Sequence, residues 1–185
     1  MLEFALGRPG ARRAEAVADC SRARFSAMEG SGFKMQTLYS SAGKDLLDRL
    51  GRLRPENRAL WGKMNAHQMV CHLNDSFGAA MGDRTTSEDI TFLSRTLIKW
   101  IALHAPLPWP KGVPTRPEVD QLDGGTRPVE FSHDKAALAA AIERFAKQPR
   151  TFQFPSHPVF GELTEWEWMR WGYLHSNHHL RQFGV

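Results

Sequence analysis

A chain of 185 residues, 42% hydrophobic and 24% charged, is long enough for one domain with a real core and too short for two of ordinary size, and its balance excludes a fibrous repeat or a wholly disordered chain. The net charge of +4 is scattered among acids rather than gathered in a block, which excludes the clustered basic footprint of a nucleic-acid reader. Cys20 and Cys71 form no C-x-x-C pattern, no apolar run approaches the roughly 18–20 residues of a membrane span, and the N-terminus lacks the apolar stretch of a signal peptide; a cytoplasmic protein without disulfides or membrane contact is expected.

Residues 1–34 are rich in Arg, Ala, Gly and Ser, and the composition changes near Met35. They read as an N-terminal extension, flexible or produced by a start placed too early, with Met28 or Met35 as the true start; a short helix over 11–29 is the alternative. The domain proper is expected over 35–185. Leu46, Leu47, Leu50 and Leu53 make one apolar stripe of a first helix over 36–53. Arg54-Pro55 ends it, because the residue before proline is pushed out of the α region. Helices over 64–82 and 88–103 follow. The segment 104–131 carries Pro106, Pro108, Pro110, Pro114 and Pro117 before Gly124-Gly125, so it cannot be helix. A connection of that length is usually a lid, a binding loop or a linker, and Lys111, Arg116 and Arg127 stand ready in it for an anionic substrate. A fourth helix is expected over 133–147 with Ser132 as N-cap. Thr164 and Glu167 have the spacing of a capping box and start the last helix. No strand pattern competes, so the fold class is all-α: a four-helix bundle with a long Pro-rich crossover loop.

The last helix carries "HSNHH". At about 100° per residue, Trp168, Trp171, His179 and Gln182 fall within about 40° of His175, and His178 lies about 60° to one side. Met169, Tyr173 and Leu180 cover much of the opposite side, and Arg170 and Arg181 form a narrow charged edge. His175 and His179 thus face the interior one turn apart, where a polar group without a partner costs about 1–3 kcal/mol. A divalent ion satisfies such a pair, as in H-E-x-x-H sites; so do carbonyls, carboxylates or water. Core packing is favoured over a substrate pocket for Trp168 and Trp171.

Two ligands are too few for a catalytic site of the zinc type, which has three and an open position. The second helix offers His72, flanked on its face by Gln68, Asp75 and Ser76. That face is either solvated surface or the wall of a wet pocket. His67 lies about 140° from His72 round the helix and cannot share its face. His104, His133 and His157 stand at loops or helix starts, where solvent exposure is the default.

"HQMVCHLNDSF" and "HPVFGELTEWEWMRWGYLHSNHHLRQFG" together resemble the DinB/YfiT-like metalloenzyme superfamily, in its uncharacterised branch with an H-P-x-F-G segment before the last helix. The resemblance covers 36–185. It implies a four-helix bundle in which one histidine of the second helix and the H-x-x-x-H pair of the last bind a divalent ion, zinc or nickel; by position these are His72, His175 and His179, with Gln182 as the glutamine that follows the pair. Relatives include transferases and isomerases that use low-molecular-weight thiols such as bacillithiol or mycothiol. This chain departs in having Arg181 where the family has glycine and in its long Pro-rich loop, which leaves the ligands intact and the substrate open.

The function expected is therefore a metal-dependent transferase or hydrolase acting on a small molecule, with a low-molecular-weight thiol as co-substrate and no nucleic-acid or membrane partner, as a monomer or homodimer. Gln68, Asp75, Ser76 and Gln182 are candidates for orienting the ligands or moving protons; solvated helix surface is the plain alternative for Gln68, Asp75 and Ser76. A non-catalytic metal- or ligand-binding bundle, and a bundle whose histidines are satisfied by hydrogen bonds alone, are the competing functions.

Overall fold

The computed structural model describes residues 35–185, so the extension expected over 1–34, with its alternative helix, lies outside the described residues. Helix α1, Ser41–Arg52, begins later than the apolar stripe alone suggests because Ser40 caps it: its hydroxyl accepts from the Ala42 N–H at 3.4 Å. Helix α2, Ala66–Ala80, opens on a capping box between Asn65 and Gln68 and closes before Gly82, whose φ of +79° favours a residue without Cβ. Helix α3, Lys99–His104, follows a π-helical turn, Ser94–Ile98. Residues 88–93, expected to be helical, are not. Thr91 and Ser94 exchange side-chain-to-backbone hydrogen bonds of 2.8 and 3.0 Å, which cap the chain there.

Helix α4 runs Phe131–Ala146, and its N-cap is Glu130 rather than Ser132: the Glu130 carboxylate accepts from the backbone of Ser132 and His133 at 3.0 and 2.7 Å. Helix α5, Glu165–Gln182, starts at the Thr164–Glu167 capping box, as the spacing predicts. Among the described residues the only β-type pairing is an isolated bridge between His157 and Gly161. The fold is all-α.

Helix α2 packs along α4, α1 packs along α5, and α2 meets α5 across the bundle. Leu46 and Leu50 from α1, Met69, Leu73 and Phe77 from α2, Leu138 and Phe145 from α4, and Trp168, Met169 and Leu180 from α5 fill the interior. Each such side chain contributes about 1.5–3 kcal/mol when fully buried. Phe77, Phe145, Trp168 and Trp171 meet edge-on or tilted, with centroids 5.1 to 6.3 Å apart, so both tryptophans are core. Gly172 sits where α5 crosses this cluster: a Cβ there would lie 2.7 Å from Leu38 Cδ1 and 3.3 Å from both Phe77 and Phe145. Arg170 is not a solvated edge. It is buried, and its guanidinium donates to the carbonyls of Leu103 and Gln36 at 3.1 and 2.7 Å.

Candidate metal centre

Trp171 carries the aromatic cluster up to the histidines, its ring 5.1 Å from His175. One turn on, His179 and His175 meet His72 of α2, and one candidate ligand atom from each of the three lies within 4.8 Å of the others. The closest pair, His72 Nε2 and His175 Nε2, are 3.2 Å apart. That is near the edge of about 3.3 Å expected between two nitrogens on one tetrahedral zinc. His72 and His179 are buried, and His175 keeps an edge open to solvent.

Hydrogen bonds set two of the three rings. His72 Nδ1 lies 2.8 Å from the Val119 carbonyl, which only accepts, so Nδ1 carries the proton and Nε2 presents a lone pair. His179 Nδ1 donates to Gln182 Oε1 at 2.8 Å. The amide of Gln182 cannot flip, because its nitrogen donates to the Trp61 carbonyl at 2.6 Å. Gly62 makes room for that contact: its φ is +80°, and a Cβ would stand 2.6 Å from the Gln182 nitrogen. His175 Nδ1, by contrast, is buried and has no partner.

Burial lowers the pKa of all three rings; the charges of His179 and His72 lower His175 further, and that of His72 lowers His179. All three are therefore neutral near pH 7, the form that binds a metal. Lone pairs on converging neutral rings and two outer N–H groups held by oxygen atoms fit a divalent cation: this triad can hold a metal ion.

The other residues singled out in the sequence fall into place around it. Asp75, buried on α2, accepts from Thr126 N and Oγ1 at 2.7 Å each, Gln121 Nε2 at 2.9 Å and Arg84 Nη1 at 2.8 Å. It latches the 117–126 loop to α2, and that loop brings the Val119 carbonyl to His72. Ser76 Oγ donates to the His72 carbonyl at 2.8 Å. Gln68 faces the start of α2, where its carbonyl completes the cap at 2.9 Å. His178 is half-buried between the rings of Trp61 and Trp109 at 5.7 and 6.4 Å.

His133 is exposed, and His104 stacks on Trp166 beside Glu167. His157 departs from the exposure expected of it. It is 6% exposed, and its Nδ1 accepts from the N–H groups of Val159 and Phe160 at 3.1 Å, so its own turn satisfies it. Val119, Trp61, Gly62 and Trp109 carry no local sequence signal for a role at the triad, since each reaches it only through tertiary contact.

A cleft of about 70 Å³ is lined by Trp61, Trp109, Lys111, Leu174, His178 and Arg181; none of the triad lines it, and it neighbours the triad through Trp109 and through His178, whose ring is 5.1 Å from that of His179. Trp109 leans over His175 at 5.8 Å and is held by its Nε1–H on the Ala102 carbonyl at 2.9 Å. Lys111 lies 4.3 Å from the Trp61 ring centre. Arg116 is instead placed 3.6 Å from Asp89. A larger groove, about 680 Å³, lies between α1 and α4 and shares no residue with the triad.

The family model described as "Protein of unknown function (DUF1569)" matches residues 32–184. The chain belongs to the DUF1569 family. No curated protein and no solved structure matches it. In this DUF1569 protein no helix among the described residues is long and apolar enough to cross a membrane.

Proposed function

We propose that this DUF1569 protein is a divalent-metal-dependent enzyme of the DinB/YfiT-like kind, a transferase or hydrolase that turns a thiol or water into a nucleophile against a small electrophile. The observation that carries the reading is the convergence of His72, His175 and His179 as neutral imidazoles, two of them buried and tautomerically set by Val119 and Gln182. When bound, a zinc or nickel ion supplies Lewis acidity, which lowers the pKa of a coordinated water toward about 7 and deprotonates a coordinated thiol.

The chain's own residues do the rest. Val119 and Gln182 hold the outer ring protons and aim the inner lone pairs. The Asp75 latch holds the loop that positions Val119. Trp61 and Trp109 exclude water from one side, and Lys111 and Arg181 give the cleft a positive edge suited to an anionic substrate or a low-molecular-weight thiol that carries carboxylates. The restricted volume of that cleft favours the second reading, a metal-binding bundle without turnover.

Metal analysis of protein purified without a histidine tag tests the site. The wild type is expected to carry about one equivalent of zinc or nickel more than His72→Ala or His179→Ala. His178→Ala should keep it; equal retention in all three variants would remove the basis of the proposal.

A further inference from the structure

The face of α2 opposite His72 carries a second group of metal-binding side chains. His67 and Cys71 stand one turn apart on α2, and Asp134 comes from the first turn of α4. One ligand atom from each lies within 4.8 Å of the others. We propose that His67, Cys71 and Asp134 form a separate site for a borderline-soft divalent cation such as zinc, which ties α2 to α4.

Geometry supports the assignment. The Cys71 sulfur is 3.6 Å from Asp134 Oδ2, close to the edge of about 3.5 Å between thiolate and carboxylate ligands on one tetrahedral zinc. His67 Nε2 is 2.7 Å from the same oxygen, so the ring moves out by about half an ångström to reach the corresponding nitrogen-to-oxygen edge. His67 and Asp134 have side-chain exposures of 20% and 17%, which admits an ion and leaves water as a fourth ligand. Cys71 closes the inner side at 1%.

Charge supports it as well. With ordinary side-chain ionisation near pH 7 the trio brings together one carboxylate and one thiol proton. A divalent cation releases that proton to solvent and leaves the ion, a thiolate, a carboxylate and a neutral imidazole, with net charge zero. The histidine triad with the same ion carries +2. The soft, neutral site suits a structural ion, and the all-nitrogen cationic site suits Lewis acidity.

Cobalt(II) distinguishes the two sites, because only a thiolate ligand gives a strong sulfur-to-metal charge-transfer band in the near ultraviolet. In a Cys20→Ser background, apo protein titrated with cobalt should bind two equivalents and show the band. Cys71→Ser and His67→Ala should each bind one equivalent and lose it, with helix content by circular dichroism unchanged. His72→Ala should also bind one equivalent and keep the band, so failure of the histidine site and failure of this one are told apart. No band at saturating cobalt, or a band that survives Cys71→Ser, would overturn the proposal.

Discussion

Gln182 decides how His179 is presented. Its amide spans the His179 ring and the Trp61 carbonyl, so truncation frees the ring to rotate and its Nδ1 proton to move. Gln182→Ala should therefore weaken zinc binding about 10–100-fold, the usual cost of losing such a partner, in a competition titration against a chromophoric chelator; unchanged affinity would mean that α5 packing alone orients the ring. His157 gives a pH signature. Burial, reinforced by the Arg116 charge, lowers its pKa to about 3, against about 6.5 in the unfolded chain. Its depressed pKa leaves stability whole above about 6.5. Between there and about 3 the unfolded chain binds the extra proton, and stability falls by about 1.4 kcal/mol per pH unit. His157→Asn, which keeps an acceptor and does not titrate, should flatten the slope of unfolding free energy by one proton across that window. Parallel slopes in denaturant melts would contradict it.

Among the elements, the loop from Pro117 to Thr126 matters most, because it supplies the Val119 carbonyl and Asp75 anchors it from α2, beside Arg84, which donates to the Gly124 carbonyl at 2.7 Å. Asp75→Ala leaves Arg84, Gln121 and the Thr126 N–H without their acceptor. Breaking a buried ion pair costs about 3–5 kcal/mol, and since Arg84 keeps 29% exposure the expected loss is discounted to about 2–4 kcal/mol. Faster amide exchange over 119–126 than in the helices should accompany it, with weaker metal binding; uniform exchange would mean that the loop is held elsewhere. The helices were legible in the sequence because their apolar repeats are local, and the Thr164–Glu167 box was legible for the same reason. The start of α4 was not, since Glu130 caps through side-chain contacts that periodicity does not register, and neither was the non-helical stretch before the π-helical turn, where Thr91 and Ser94 exchange hydrogen bonds. His175 and His179 could be placed on one face by counting. The inward turn of His72 could not, because Asp75 and Ser76 beside it look the same in sequence whether a loop covers them or water does.

For the whole molecule, the triad joins α2 to α5, so an ion there binds the folded chain and not the unfolded one. At free metal about 100-fold above the dissociation constant, linkage adds about 2.7 kcal/mol, which for a domain of about 150 residues raises the melting temperature by roughly 5–10 °C. Calorimetry before and after chelation should show a shift larger by about that amount in the wild type than in His72→Ala; equal shifts in the two would mean that the triad holds no stabilising ion. Gly172 bears on this at a distance. It lies one residue from Trp171 and three from His175 on the crowded side of α5, where the aromatic rings leave no space for a methyl group. A side chain at this position would push α5 away from Leu38, Phe77 and Phe145, and so would disturb the helix that carries two of the three imidazoles. Selection for ionic radius in this fold can act on the crossing of two helices without altering a single donor.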